Sequence, residues 1–496
     1  MLEEYFSTYR DKTIGLNLKS QLNAHNLLYT DWTASGRLYR PIEHYISEQI
    51  GPYVANPHTE NTETGRIITA AYKQARATIK QHVNADENDV LICTGAGATS
   101  AIIKLQRLMG LKQKNIYSNS TSLFEKFTHF VNKNKTNLKP VVFVTHMEHH
   151  SNQTSWNTLD VTVEVLERAP DGQPCIKDLE NKLIQYSQSP LKIGAFTACS
   201  NVTGIKTNVG LLAKTMHKHG GVCFLDYACS APYVDINMHP ENPEEQLDGI
   251  YFSPHKFLGG PGSCGILVFN KALYARHNIA PDKPGGGTVL WTNPWGEQAF
   301  YEDIEKREDG GTPGFLQTIK AAQAIKLKDE MGVSNIEKRE THLRKILMAG
   351  ISDIPGVNIL EPNIKNRLCI VSFYVTNLHH NLIVRLLDNK FGIQARGGCS
   401  CAGTYGHILL NVDKQQSQQI VNEVNNGNLS RKPGWVRISL HPTNTDAEAR
   451  FVVSSLKRVV ENANEWQNEY KFDERLGDYL LIDDSKYDST LLSQAS

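Results

Sequence analysis

From residue 90 to residue 269 the chain alternates short apolar runs with longer amphipathic segments. The apolar runs are 90–93, 141–145, 161–166, 193–198, 222–225, 249–252 and 265–269, each of strand length. Between them, segments such as 99–109, 178–186 and 209–219 fit helices. This alternation predicts an α/β fold, a mostly parallel sheet covered by helices. In open sheets of that kind ligands bind beyond the carboxyl ends of the strands. Polar clusters at 94–99, 146–152, 200–203, 226–230 and 253–256 each follow such an end, so one site can gather all five.

The pattern changes after Pro313. A long helix at 318–332 is followed by a strand at 370–375, a helix at 381–389, a strand at 436–439 and a helix at 446–462, which predict a smaller α+β domain. The expected division is an N-terminal segment 1–28, a large domain 29–315, a small domain 316–465 and a tail 466–496. The tail is polar and acidic and ends in serine-rich residues that are expected to be partly frayed. No internal repeat is visible.

The 496 residues carry a formal net charge of zero, so there is no basic surplus for nucleic acid. No uninterrupted apolar stretch approaches the roughly 20 residues that span a bilayer. The amino terminus, Met1-Leu2-Glu3-Glu4-Tyr5, is acidic and lacks the basic and apolar regions of a signal peptide. Nine cysteines are too sparse for a disulfide scaffold, and Cys93, Cys223 and Cys369 sit in apolar runs as small core residues. These features lead us to expect a cytoplasmic protein with reduced thiols, whose partners are small molecules or proteins.

The chemistry begins with Ser253-Pro254-His255-Lys256, downstream of the apolar run that ends in Asp226 and ahead of Gly259-Gly260-Pro261-Gly262. A pyridoxal 5′-phosphate (PLP) site needs a lysine to hold the aldehyde as a Schiff base and a carboxylate to keep the pyridine nitrogen protonated. Lys256 and Asp226 offer both. Thr94-Gly95-Ala96-Gly97-Ala98-Thr99 joins a strand to a helix, and its small residues let backbone N–H groups approach a phosphate. A plain tight turn is the alternative; a dinucleotide fingerprint is not met, because Ser100 stands at the third glycine position.

Three further segments have competing readings. His146-Met147-Glu148-His149-His150 can be a metal site, a histidine cluster of the core or surface, or the source of a flat imidazole, His149, that stacks on a pyridine ring and moves protons. The segment 394–403 holds Cys399 and Cys401 between glycines, which predicts a mobile loop with a nucleophilic thiolate near Arg396. A zinc pair completed by His407, or inert loop residues, are its alternatives. Arg437 lies in a strand-like run, where its charge needs a partner, either a substrate carboxylate or an internal salt bridge.

With these motifs in this order, the chain resembles the class V aminotransferase family of fold-type-I PLP-dependent transferases, and within it the cysteine desulfurase-like branch. The resemblance runs from Tyr29-Thr30-Asp31 to about Asn462. It implies that Lys256 binds the cofactor covalently, that Asp226 meets the pyridine nitrogen, and that His149, in the E-H-H-x-N motif, stacks on the ring. It further implies that Ala96, Gly97, Ala98, Ser253 and His255 meet the phosphate, that Asn201 lies beside substrate and ring, and that Arg437 binds the substrate carboxylate. Gly286, Gly287 and Thr288 resemble the segment that reaches the phosphate of a neighbouring subunit, which implies a homodimer.

The chain departs from that pattern at Cys229, where the branch usually has a glutamine that bonds the ring hydroxyl. In the loop, the R-x-G-x-x-C pattern places Cys401 as nucleophile and puts Cys399 where histidine is frequent. The Cys-x-Cys pair after Arg-Gly-Gly is also similar to the amino-terminal domain of molybdenum cofactor sulfurases. The first expectation is therefore a cysteine desulfurase that converts L-cysteine to L-alanine, forms a persulfide on Cys401, and passes sulfur to a possible protein acceptor. Another class V reaction on a small amino acid (transamination, C–S lysis or epimerisation) is the alternative. A catalytically silent binding protein of the same fold is disfavoured by the intact Lys256, Asp226 and His149, and a nicotinamide enzyme by the missing fingerprint.

Overall fold

The computed structural model describes residues 2–57, 59–114 and 138–483. After a short strand β1 (Leu28–Tyr29), seven strands build the central sheet: β2 (Asp89–Thr94), β3 (Val141–Val144), β4 (Thr162–Val165), β5 (Lys192–Thr197), β6 (Val222–Asp226), β7 (Gly249–Phe252) and β8 (Gly265–Asn270). Their order is β2-β8-β7-β6-β5-β3-β4, and only β8 runs antiparallel to its neighbours. Six carboxyl ends therefore face the same edge. The sheet is the mostly parallel one expected from the alternation of apolar runs.

Such a sheet is stable only when both faces are covered. Successive residues of one strand serve opposite layers: Leu225 joins the cluster of Phe143, Phe196 and Ile250, whereas Phe224 joins that of Val144, Ala195 and Tyr251. The helices Glu63–His82 and Phe315–Met331 contribute Ile68, Ile79, Ile319 and Ile325 to the first layer, and the helix Ala98–Leu108 contributes Ile102 and Leu105 to the second. The helix expected at 318–332 begins three residues earlier, because Phe315 is buried there and Gly314 forms its N-cap.

A second sheet has the order Val357–Ile359, Ile370–Val375, Trp435–Ser439, Arg396–Gly398, all antiparallel. Helices Val333–Ser352, His380–Phe391 and Asp446–Trp466 cover it and share its apolar core. The last of these starts with a capping box in which Thr445 and Glu448 satisfy each other's backbone N–H groups. The N-terminal segment ties into this sheet, since β1 pairs in parallel with Ile393–Gln394 and Arg10 bonds Glu448 at 2.7 Å.

The segment read as a polar tail carries regular structure as far as Leu481. Tyr470–Asp473 and Asp478–Leu481 form an antiparallel hairpin packed on the second core. Asn389 donates to the Tyr470 hydroxyl at 2.9 Å, and Arg385 pairs with Asp478 at 2.6 Å. The acidic composition concealed an apolar set, Tyr470, Tyr479 and Leu481, that has a face to cover. The serine-rich end lies outside the described residues. Among the described residues no helix is long and apolar enough to cross a membrane.

Phe224 is fully buried at the centre of the sheet. Phe224→Ala is expected to lower stability by about 3–5 kcal/mol through lost transfer energy and the cavity left behind. Chemical denaturation followed by circular dichroism measures this, and a loss below about 1 kcal/mol would show that the layer repacks.

Candidate active site

The carboxyl ends of β2, β3, β5, β6 and β7 surround a cavity of about 380 Å³. Ala96, Gly97, Ala98, His149, Asn201, Asp226, Ser253, His255, Lys256, Cys401 and Arg437 all line it. All five polar clusters marked in the sequence thus contribute to one site. Thr33, Ala34, Thr197, Cys199 and Ser400 also line it, none of which was assigned to the site from the sequence.

At one end the helix Ala98–Leu108 points its N-terminus into the cavity. Gly95 has a positive φ, which turns the chain sharply out of β2. At Gly97 a Cβ would lie 2.9 Å from the His255 ring and 3.0 Å from the Ser253 hydroxyl, so only glycine leaves this cradle open. The Ser253 hydroxyl accepts the Ala98 N–H at 2.9 Å, and His255 Nδ1–H donates to the Ala96 carbonyl at 2.9 Å. Free first-turn N–H groups and the helix dipole favour an anion at this end.

Lys256 and Asp226 occupy the middle. Burial lowers the lysine's pKa below its ordinary value, which favours a neutral, nucleophilic amine. Burial raises the Asp226 carboxyl from 3.8 to about 6, although the Ala228 N–H donates to it at 2.8 Å. A cationic partner at the carboxylate would reverse that shift. Cys229 turns its thiol to the Cys199 carbonyl at 3.1 Å. Two buried polar atoms of the cavity wall, Asn201 Oδ1 and Arg437 Nε, have no partner among the described residues. An amine, a buried carboxylate, orphaned polar atoms and an anion cradle together fit a phosphorylated aldehyde with a ring nitrogen.

The histidines after β3 do not converge on an ion. His149 Nδ1 accepts the Ser151 N–H at 3.1 Å, His150 Nε2 accepts the Gly403 N–H at 2.9 Å, and His146 is buried edge-on to Tyr405. Burial, aided by the Lys256 charge, lowers His149 to about 3, so its ring is neutral. Between them lies a group to which the sequence reading gave no role. Glu148 is fully buried and accepts from the Thr145 N–H, the Thr197 N–H and Asn152 Nδ2 at 3.1, 2.7 and 2.8 Å. Asn152 also donates to the Ala195 carbonyl and accepts from the Tyr251 hydroxyl. The E-H-H-x-N spacing was the available signal: its first and last residues frame the strand ends that His149 projects from.

The cysteine loop is better anchored than its glycines imply. Arg396–Gly398 pairs with Trp435–Ser439 as an edge strand. The Cys401 carbonyl accepts the His150 N–H at 2.7 Å, and Asn201 Nδ2 donates to the Ser400 carbonyl at 2.6 Å. The Ala402 N–H closes a turn onto the Cys399 carbonyl at 3.0 Å, with Ser400 and Cys401 both at positive φ. Two consecutive non-glycine residues in that region store backbone strain, a feature that clusters at functional sites. The loop expected to be mobile is tied at these points and places Cys401 in the lining of the cavity. His407 does not complete a zinc pair, because its ring nitrogens engage the Gly403 carbonyl and the Ser417 hydroxyl.

Arg437 is buried and forms the internal pair: Nη2 donates to Asp31 Oδ1 at 2.5 Å and Nη1 to the Asn201 carbonyl at 2.9 Å. Its unpartnered Nε leaves room for an added ligand. Gly286, Gly287 and Thr288 do not reach this chain's own cavity. Thr288 is fully buried and donates to the Gly285 carbonyl at 2.6 Å.

Because the folded-state value of Asp226 lies above the unfolded one, the folded protein binds more protons between about pH 4 and 6, and stability falls as pH rises through that window. In cofactor-free protein, Asp226→Asn is therefore expected to be more stable than wild type by about 2 kcal/mol at pH 8 and equal to it near pH 3. Denaturation at the two pH values reads the difference. A variant less stable than wild type at pH 8 would mean that the carboxylate is not penalised by burial.

The fold agrees with that of known proteins. The family model "Aminotransferase class-V" matches residues 104–452. A probable cysteine desulfurase of Staphylococcus aureus is 26% identical over 389 residues, covering 78% of this chain and 85% of that protein. A probable cysteine desulfurase of Halalkalibacterium halodurans is also 26% identical, over 78% of this chain and 86% of that protein. Among solved structures, the apo cysteine desulfurase of Thermococcus onnurineus superposes with a TM-score of 0.69 at 23% identity, over 88% of this chain and 95% of the other. A cysteine desulfurase of Escherichia coli in an S-sulfonic acid form gives 0.68 at 19% identity, over 92% and 98%. With its family model spanning most of the sequence, the chain belongs to the class V aminotransferase family.

Proposed function

We propose that the protein is a PLP-dependent cysteine desulfurase that converts L-cysteine to L-alanine and holds the sulfur as a persulfide on Cys401. The observation that carries this reading is that a thiol, Cys401, lines the same cavity as Lys256, Asp226 and His149. Transamination and epimerisation have no use for a thiol there. The names of the related proteins support the same reading.

Lys256 would bond the cofactor aldehyde, Asp226 would meet the ring nitrogen, and the N-terminus of the helix Ala98–Leu108 with Ser253 and His255 would hold the phosphate. When bound, PLP supplies an electron sink for the substrate's α-carbon. Lys256, whose pKa burial lowers, moves the α-proton once its amine is free. Neutral His149 forms a flat wall and can pass a proton. Arg437 and Asn201 orient the substrate carboxylate. The Cys401 thiolate attacks the substrate's sulfur: an S–S bond forms, the Cβ–S bond breaks, and the β-carbon takes up a proton to give alanine. The nine free cysteines fit a reducing cytoplasm.

A homodimer belongs to the same proposal. Gly285–Thr288 leads into a hairpin, Val289–Thr292 with Gln298–Phe300, on which Leu290, Trp291 and Trp295 are 57%, 51% and 84% exposed. Large apolar side chains on an arm beside a phosphate-binding type of segment support its burial against a second copy. The carrying experiment measures alanine and sulfide release from L-cysteine with a reductant. Cys401→Ser should lose at least a hundredfold in rate while still giving the spectral change of substrate binding; alanine formation at the wild-type rate would remove the desulfurase reading in favour of another class V reaction. Light scattering should find a dimer that Trp291→Glu with Trp295→Glu weakens at least tenfold. A wild-type monomer with full PLP occupancy would contradict the shared-site arrangement.

A further inference from the structure

Cys401 is a wall of two cavities. Beside the active-site cavity lies a second, of about 250 Å³, whose lining includes Cys399, Cys401, Arg396, His379, His380 and Lys432. Of the two cysteines only Cys401 lines the inner cavity, whereas both line the outer one. The turn closed from Ala402 to Cys399 holds them together, and two residues of chain cannot separate their Cα atoms by more than about 7 Å. Both thiols are free and half-buried. Cys399 packs on one side against the apolar cluster of Met147, Ala402, Tyr405 and Trp435 that joins the two sheets' layers.

The outer cavity is electropositive. No aspartate or glutamate lines it, while Lys432 and Arg396 do. Asp31 lies 3.7 Å from Arg396 but is more closely engaged with Arg437 at 2.5 Å. Asp478, which acts on the two histidines, is paired with Arg385 at 2.6 Å. The Lys432 and Arg396 cations suit an anionic sulfur group at the outer cavity.

We propose, on the basis of the desulfurase reading, that Cys399 is a sulfur relay and that the outer cavity is the port at which an acceptor thiol collects the sulfur. The Cys399 thiolate attacks the outer sulfur of the Cys401 persulfide. The bond between Cys401 Sγ and that sulfur breaks, a bond from Cys399 Sγ to it forms, and Cys401 leaves as a thiolate ready for the next substrate. Sulfur keeps its oxidation state, so no oxidant or reductant enters this step. The acceptor thiolate then takes the same sulfur from Cys399 by the same exchange. Ser400 and Cys401, both at positive φ, keep the turn tight between the two cysteines.

The test follows the sulfur. Holoenzyme is given one equivalent of L-cysteine without reductant, alkylated at successive times and fragmented so that masses at Cys399 and Cys401 separate. The expected result is an alanine burst with the persulfide first on Cys401 and then on Cys399. Cys399→Ser should produce the alanine of a first turnover, retain its persulfide on Cys401, and release sulfur to mercaptoacetate at least tenfold more slowly than wild type. An alanine burst with the persulfide confined to Cys401 in wild type, or undiminished turnover of Cys399→Ser with mercaptoacetate, overturns the relay and leaves the desulfurase standing. Alanine and a Cys399 persulfide from Cys401→Ser would make Cys399 the primary nucleophile, which also ends the relay. No alanine burst from wild type brings down the desulfurase reading and the relay with it.

Discussion

One buried carboxylate organises the site. Glu148 has no access to solvent, and burial pushes its pKa up to about 8. Its oxygens therefore need partners, and they find them in the residues after β3, at the end of β5 and in Asn152, itself bonded to β5 and β7. Three parallel strand ends are thereby held in one register. His149, one residue on, is aimed from that frame, and its neighbour His150 reaches across to hold Gly403 of the cysteine loop.

A second ionic group joins the layers that carry the site. Asp31 follows β1, which is paired with Ile393–Gln394, and its carboxylate meets Arg437 on the second sheet. Arg437 in turn bonds the Asn201 carbonyl of the large sheet's edge, while the Asn201 side chain bonds Ser400. One short chain of contacts thus runs from the N-terminal segment through both sheets to the strained turn bearing Cys401. Breaking one partner of the buried pair would leave a charge without compensation, so the geometry of the thiol depends on residues distant in sequence.

The helices and strands were legible because their apolar residues follow the periods that burial requires. The strand expected at 249–252 is β7 as observed, and 370–375 likewise. Errors arose where composition masked pattern. The hairpin at Tyr470–Leu481 looked like tail because its charged positions outnumber the few side chains it buries, and the contacts that hold the cysteine loop come from His150 and Asn201, 253 and 199 residues from their partners Gly403 and Ser400, where no local pattern shows them.

The sequence by itself determined the sheet, its covering helices, and the reactive groups Lys256, Asp226, His149 and the Cys-x-Cys pair, since periodicity and residue chemistry are local properties. Tertiary structure decided that Arg437 pairs with Asp31, that Glu148 ties strand ends together, and that Cys401 lines two cavities while Cys399 lines one. The reason is physical: a side chain's partners, burial and therefore charge state are set by groups brought near only when the two sheets pack, and no spacing along the chain encodes that approach.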